Sequence, residues 1–311
     1  MQIGSVHTVG DIARFLEREV IGNPDLIVTG INEIHRVEPG DLVFVDHPKY
    51  YEKAVSSAAT FILIDKEVPV PEGKSLIISP TPFDDYNKLT RKFNPYRPQK
   101  TLTGENCRIS DLAHLSPNCF IGHDVIIADN VTIHPGAYIG DGTVIEENVI
   151  IGPNAVIGHY AFYYKKKPEG YDRMHSCGFV YIEKNAEIGA NSCIDTGVSA
   201  ITRIGEGTKI DNLVQIGHDT ILGKNCLIAA GTGVAGCVTI GDNVTLWGQV
   251  GVASGITIED NVTVLAQSGV GKNLKAGKTY FGSPCEEARD KFKEMANIRQ
   301  IPELIAKLRN V

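Results

Sequence analysis

The chain has 311 residues, with 37 acidic against 30 basic side chains and a formal charge of −7. This balance gives no global field that attracts nucleic acid, and no uncharged apolar run approaches the ~20 residues that span a bilayer. The first residues lack the basic and apolar regions of a secretory signal, so we expect a cytoplasmic protein without a membrane span. Seven cysteines, an odd number without a C-x-x-C pair, predict reduced thiols instead of a disulfide framework or a zinc knuckle.

Residues 1–100 are predicted to form a small α/β domain. Thr8–Val20 combines a T-x-x-D capping pattern with apolar residues at helical spacing, which predicts an amphipathic helix. Short apolar runs follow, alternating with helical patterns. The predicted strands are Leu26–Thr29, Asp41–Val45, Thr60–Ile64 and Leu76–Ile78, and the predicted helices lie near Tyr50–Ser56 and Phe83–Phe93. Pro95 and Pro98 mark the linker that ends this domain.

A six-residue repeat organises the rest of the chain. A large aliphatic residue recurs at every sixth position from Ile109 to Ile157, and the register resumes over Ile182–Ile194 and again over Ile204–Val270. This period fits neither an α-helix nor a single alternating strand, but it fits short strands joined by tight turns, three to a coil. The aliphatic residues then point into a narrow core. Three cysteines are expected to pack there with them, namely Cys107, Cys119 and Cys226.

The repeat predicts a β-helix over 101–281, from which the loop 158–178 protrudes. This loop mixes aromatic residues with Lys165–Lys167, which suits a cover over a site or a contact with an anionic partner, while a plain flap is the alternative. The register skips once more between Ile194 and Ile204, which we interpret as one bulged turn. Residues 282–311 predict a helical tail that is broken near Pro302.

The coil length predicts which side chains are neighbours. Residues 18 positions apart lie on the same side of successive coils, about 4.8 Å apart along the axis. Gly236 is therefore expected one coil after His218, and an imidazole beside an unobstructed glycine N–H suits a general base and an oxyanion donor. Asp195 is expected about one coil before Gly217, where it would orient His218 or balance its charge. The alternatives are that His218 is simply solvated and that Asp195 is a corner carboxylate without a catalytic role.

Several motifs resemble the UDP-3-O-acylglucosamine N-acyltransferases of lipid A synthesis, a family of hexapeptide-repeat acyltransferases. The most specific stretches are Ile188–Asp195 and Ile204–His218, and Phe44–Tyr50 is similar to the family's uridine-binding segment. The resemblance covers essentially the full length. It implies a mainly β fold, a left-handed parallel β-helix with a small N-terminal α/β domain and a C-terminal helical tail. The handedness comes from the resemblance alone.

The resemblance also implies an activity, the transfer of a 3-hydroxyacyl chain from acyl carrier protein to the 2-amino group of a UDP-linked, 3-O-acylated glucosamine. It implies a homotrimer that uses no metal and no other cofactor. His218 would be the general base, the Gly236 N–H would donate to the oxyanion, and Phe44 and Tyr50 would sandwich the uracil. The substrate-binding candidates are Phe44, His47, Lys49, Tyr50, Asp195, Asn212 and Gln215. The basic residues that would receive the acidic carrier are Lys165–Lys167, Lys272, Lys275, Lys278 and the tail.

Three single positions and the loop stretch Met174–Gly178 depart from the family pattern and leave other acceptors open. His47 stands where the family often has Asn, Thr196 where it has Arg, and Gly255 where it has a second histidine near the site. Acyl or acetyl transfer to another UDP-linked sugar, or an inactive paralogue that binds a carrier protein, are the alternatives. A carbonic anhydrase is disfavoured, since the nine histidines contain no H-x₄-H pair.

Overall fold

A computed structural model describes residues 1–309, so positions 310 and 311 of the predicted tail lie outside the described residues. The chain divides into two compact units. The N-terminal unit contains Met1–Lys100, Tyr160–Phe179 and Thr196–Ile201, and the β-helix unit contains Thr101–His159, Val180–Asp195 and the chain from Thr202 onward. Both segments that leave the hexad register therefore belong to the N-terminal unit.

The N-terminal unit is built on a six-stranded sheet in the order β1-β3-β4-β5-β6-β2. Its elements are β1 (Gln2–Thr8), α1 (Val9–Leu16), β2 (Glu19–Ile21), β3 (Ile27–Ile31), β4 (Asp41–Val45), a 3₁₀ helix (Pro48–Tyr50), α2 (Tyr51–Ser56), β5 (Phe61–Ile64), β6 (Ser75–Ile78) and α3 (Pro82–Phe93). Strands β3 to β6 are parallel. The two edge strands are antiparallel to their neighbours, β1 to β3 and β2 to β6. The central strand β5 is buried along its whole length, which explains its unbroken apolar sequence.

The first helix begins where the capping pattern predicts but ends early. Thr8 and Asp11 exchange two hydrogen bonds of 3.1 Å that close the capping box. The helix stops at Leu16 instead of Val20, because Glu17 adopts a left-handed φ of 58° and its N–H bonds back to the last turn. The residues beyond it form the edge strand β2. Strand β1 was not predicted, because its mostly exposed residues show no alternation of apolar and polar side chains.

The protruding loop is a hairpin of two antiparallel strands, Tyr164–Lys167 and Gly170–Arg173. Side chains of α3 fix it, since the Asn87 amide donates to the Arg173 carbonyl over 3.1 Å and accepts from the His175 N–H over 2.8 Å. The second skip, residues 196–201, joins the N-terminal core through Val198 and is not a simple bulged turn. The N-terminal ammonium group donates to the carbonyl of Ser199 in that segment.

The β-helix has three walls in which strands pair in parallel with the equivalent strand of the next coil, except that the final strand, Glu286–Glu287, pairs antiparallel with Thr279–Phe281. The first wall contains Arg108–Ile109, Ile126–Ile127, Val144–Ile145, Phe179–Ile182, Ile201–Ile204, Ile221–Leu222, Thr239–Ile240 and Thr257–Ile258. The second wall contains His114–Leu115, Thr132–Ile133, Ile150–Ile151, Glu187–Ile188, Lys209–Ile210, Leu227–Ile228, Thr245–Leu246, Thr263–Val264, Thr279–Phe281 and Glu286–Glu287. The third wall contains Phe120–Ile121, Tyr138–Ile139, Val156–His159, Cys193–Asp195, Gln215–Ile216, Gly233–Val234, Gly251–Val252 and Gly269–Val270.

The interior of the β-helix confirms the hexad interpretation. The aliphatic residues at every sixth position form one continuous buried cluster, and Cys119 and Cys226 are buried among them while Cys107 packs against its edge. Left-handed residues turn the corners, and Asn occupies ten of these positions. Asn tolerates this conformation because its short polar side chain bonds locally.

The chain ends in α4, an exposed helix from Ala288 to Arg309. Pro302 lies inside this helix, so the predicted break there is wrong. Because the surrounding turns face solvent, water can satisfy the carbonyl that the proline leaves without a donor, and the helix continues. Among the described residues, no helix is long and apolar enough to cross a membrane.

Strand Thr239–Ile240 offers a test of the hexad core on adjacent residues. Replacing Ile240, which is 1% exposed, by Ala should lower the free energy of unfolding by about 2–5 kcal/mol because it empties part of the core. The neighbouring Thr239 side chain faces solvent, so Thr239→Ala should change the free energy of unfolding by less than about 0.5 kcal/mol. Urea unfolding followed by circular dichroism measures the stability of both variants. Equal effects would contradict the assignment of Ile240 to the core of the β-helix.

Candidate active site

The predicted neighbours His218 and Gly236 lie against each other on successive coils. Each follows a strand of the third wall, Gln215–Ile216 and Gly233–Val234 respectively. The His218 ring lies so close that a Cβ placed on Gly236 would be 2.4 Å from Nε2 and 2.6 Å from Cε1. Any side chain at Gly236 would therefore displace the imidazole. Glycine here makes room for the histidine.

A buried carboxylate orients the imidazole. Asp219 Oδ2 lies 2.9 Å from His218 Nδ1, and the Asp219 side chain is almost fully buried. The corner is fixed because the Asp219 N–H donates to Thr202 Oγ1 over 2.9 Å. A carboxylate at Nδ1 favours the tautomer with its proton on that nitrogen, so Nε2, which faces Gly236, is left to accept a proton.

Asp219 was missed in the sequence analysis, which offered Asp195 for this contact. Asp195 Oδ1 instead accepts a hydrogen bond from Gln215 Nε2 over 2.9 Å, and its backbone pairs with His159. The sequence signal that could have found it is its position directly after His218, at a corner between two strands. Asp219 adopts a left-handed φ of 55° there, which brings its carboxylate beside the imidazole.

The Gly236 backbone is available to a ligand on one side and held on the other. Among residues 1–309, its N–H donates no hydrogen bond to a protein acceptor. Its carbonyl accepts from the Ser254 hydroxyl over 2.8 Å and from the Gly255 N–H over 3.2 Å. The glycine is thus anchored from the next coil while its N–H can stabilise a developing negative charge.

Asp219→Asn should lower kcat by about 10–100-fold with little change in KM. The substitution removes one charge-assisted hydrogen bond, worth about 1.5–3 kcal/mol, from the group that would stabilise an imidazolium. Asn suits this left-handed corner, so the fold should survive. Steady-state kinetics measure the effect, and Asp124→Asn, at another left-handed corner, is the matched control. Equal activity of both variants would show that the carboxylate plays no part.

The Phe44–Tyr50 segment lies in the N-terminal unit, at the end of β4. Phe44 is half-buried, and its ring centroid lies 4.7 Å from the ring centroid of Tyr86. Tyr50 is 45% exposed, with the Lys49 ammonium 5.5 Å from its ring centroid. His47 Nδ1 accepts the Lys49 N–H over 3.2 Å and so caps the 3₁₀ helix. Tyr50 is therefore the aromatic face most open to a base, while Phe44 also serves the core.

Asn212 and Gln215 lie on different walls. Asn212 follows the second-wall strand Lys209–Ile210, and its Oδ1 accepts the Ala190 N–H over 2.7 Å. It lines an open groove of about 550 Å³ that also contains Leu227 and Trp247, and His218 is not among the lining residues. Gln215 stands on the third wall and contacts Asp195.

Most of the lysines predicted to receive an acidic carrier are already paired with carboxylates. The pairs are Lys165–Asp46, Lys167–Asp84, Lys167–Asp172, Lys272–Glu286, Lys275–Glu259 and Lys278–Glu287. The hydrogen bonds that Lys167 donates to the Asp172 and Asp84 carboxylates raise the pKa of its ammonium group. The Glu286, Glu259 and Glu287 carboxylates likewise raise the pKa values of Lys272, Lys275 and Lys278, respectively. These surfaces carry mixed charge, so a carrier would have to compete with internal pairs.

Comparison with known proteins agrees with this geometry. The model for bacterial transferase hexapeptide repeats matches residues 124–159 and 201–236, and that for the hexapeptide repeat of succinyl-transferase matches 180–212 and 237–266. The chain therefore contains hexapeptide repeats of the bacterial transferase type, and the predicted fold class, mainly β with a parallel β-helix and an N-terminal α/β unit, is confirmed.

The family follows from the N-terminal unit and from relatives that span the whole chain. The model for UDP-3-O-(3-hydroxymyristoyl) glucosamine N-acyltransferase matches residues 25–92. The UDP-3-O-acylglucosamine N-acyltransferase of Bacteroides thetaiotaomicron is 40% identical over 96% of this chain and 94% of its own length. The enzyme of that name from Oleidesulfovibrio alaskensis is 39% identical over 97% and 95%. The chain belongs to the UDP-3-O-acylglucosamine N-acyltransferase family, as the motifs predict.

Proposed function

We propose that the chain transfers a 3-hydroxyacyl group from the thioester of acyl carrier protein to the 2-amino group of UDP-3-O-acylglucosamine. One observation carries the proposal: an imidazole oriented by the buried carboxylate of Asp219 packs on Gly236, whose N–H meets no protein acceptor among the described residues. This arrangement supplies a base and an oxyanion donor on adjacent coils, which is what acyl transfer to an amine requires.

The reaction proceeds through a tetrahedral intermediate. The amine nitrogen attacks the thioester carbonyl, His218 Nε2 takes up the proton that the amine loses, and the Gly236 N–H stabilises the oxyanion. The C–S bond then breaks, and the imidazolium returns the proton to the leaving sulfur. Asp219 balances the charge on the imidazolium between these steps. Because the carrier delivers an activated acyl group, the protein needs only to position the amine, move one proton and stabilise one charge.

Incubation with 3-hydroxyacyl carrier protein and UDP-3-O-acylglucosamine tests this function. We expect an amide product, identified by mass spectrometry, and release of the free carrier thiol. Acylation of a hydroxyl, or turnover only with acetyl-CoA, would indicate a different acyltransferase. The absence of turnover with every acyl donor would favour a paralogue that only binds a carrier protein.

The assembly and location are part of the proposal. A homotrimer is supported by the exposed apolar side chains of Ile150, Leu227 and Trp247 on the second wall, since apolar patches of this kind mark protein contacts. The carrier would bind near the basic residues of α4, which carries Arg289, Arg299 and Arg309. Light scattering after size exclusion tests the trimer. Reduced cysteines throughout suit the cytoplasm.

Tyr50→Ala should raise KM for the UDP-sugar by about 5–100-fold and leave kcat nearly unchanged. Loss of one base–aromatic stack costs about 1–3 kcal/mol, and this contact is remote from the bonds that react. Initial rates over a range of UDP-sugar concentrations measure the effect. Tyr171→Ala, at a 73% exposed tyrosine of the hairpin, is the control. An unchanged KM in Tyr50→Ala would contradict stacking at this residue.

A further inference from the structure

One left-handed corner of the β-helix carries a thiol. Cys237 has a φ of 61° and stands 18 residues after Asp219, whose φ is 55°, so the two occupy the same corner on successive coils. Side chains at such stacked corners touch elsewhere in the chain: Asn106 Nδ2 lies 3.1 Å from Asp124 Oδ1. Ten other left-handed positions hold Asn. At this corner, which lies one coil after Asp219, the Cys237 thiol stands where the chain elsewhere has an Asn amide.

Three different ligand atoms converge there. A ring nitrogen of His218, a carboxylate oxygen of Asp219 and Sγ of Cys237 all lie within 4.8 Å of one another. His218 and Asp219 are buried and Cys237 is half-buried. The backbone fixes their spacing, because the Cys237 N–H donates to the His218 carbonyl over 2.8 Å. Ligands around a tetrahedral zinc ion stand roughly 3.5 Å apart, so small side-chain rotations would close the set.

We propose that His218, Asp219 and Cys237 form a binding site for a thiophilic divalent cation of the zinc class, and that its occupation inhibits the enzyme. Carboxylate and thiolate together balance the two positive charges, and the thiol proton leaves to solvent. The next corner is Gly255, where an added side chain would meet open space, so a water can complete the coordination. Inhibition rests on the proposed function, since the cation would hold the imidazole that serves as base; binding does not.

Cadmium binding tests the site without reference to activity. The full chain, stripped of metal, is titrated with CdCl₂ by calorimetry and by the ultraviolet charge-transfer absorption of a cadmium thiolate. We expect one site whose affinity falls ~10-fold or more in Cys237→Asn and in His218→Ala, since loss of even an outer-shell partner costs 10–100-fold. Cys107→Ser, at another half-buried thiol, should bind like wild type. Unchanged binding in Cys237→Asn, or no thiolate band in wild type, overturns the proposal.

Zinc inhibition of acyl transfer tests the consequence. Cys237→Asn introduces the side chain that the chain uses at equivalent corners, and Cys237→Gly is a second variant that suits the same backbone. Without metal, Cys237→Asn should turn over like wild type, and with ZnCl₂ it should need at least ~10-fold more metal for half inhibition. Equal inhibition of both proteins overturns the proposal. If the chain transfers no acyl group, the proposed function fails, while the cadmium titration still decides the site.

Discussion

His218→Ala is expected to lower kcat by at least ~10²-fold, because positioned general bases contribute 10²–10⁴-fold to proton transfer. The amine must lose a proton as it attacks, and the substitution removes Nε2, the atom that takes up this proton in the proposed mechanism. The ring is largely buried, but it contacts Asp219 and lies against Gly236 at a corner of the coil, so its loss should leave the β-helix folded. Rates of amide formation under saturating substrate measure the effect.

The control for this variant is His114→Ala, at an exposed histidine of the second wall. Its turnover should match that of wild type. Circular dichroism and the midpoint of thermal unfolding should be similar for all three proteins, which separates lost chemistry from lost structure. Wild-type turnover in His218→Ala would place the base on another residue and remove the central assignment of the mechanism.

The six-residue period predicted the β-helix and the contact between His218 and Gly236 because both depend on counting within an unbroken register. From Ile204 to Val270 each coil has the same length, so a residue's neighbour on the next coil follows from its number alone. By the same count Ser254 lies one coil after Gly236, and its hydroxyl donates to the glycine carbonyl over 2.8 Å.

The count does not give side-chain direction. Counting residues 196–201 as one skipped turn placed Asp195 one coil before Gly217, in agreement with the pairing of Ile194 with Ile216, but the carboxylate contacts Gln215 instead of His218. Asp219 was missed for another reason: its contact depends on the left-handed turn of its own backbone, which brings its carboxylate back to the ring of the preceding residue. Ion pairs such as Lys167–Asp84 join residues far apart in sequence and have no local signal.

Gly236→Ala is expected to lower kcat by about 10²-fold although it retains the backbone N–H. Its new Cβ would stand 2.4 Å from His218 Nε2, so the ring must move by about 1 Å to reach an ordinary contact distance, and a misplacement of that size costs about 10²-fold. Gly236 is not among the glycines with a left-handed φ, so the alanine adds no backbone strain. The loss would report the position of the imidazole rather than the oxyanion donor.

A double-mutant cycle separates this explanation from general damage. In the His218→Ala background the ring is absent, so adding Gly236→Ala should cost little more, and the two losses should be strongly non-additive. Gly271→Ala, where an added Cβ meets open space, should behave like wild type. Additive losses would mean that the alanine acts on something other than the imidazole, and full activity in Gly236→Ala alone would mean that catalysis does not need the ring where the structure places it.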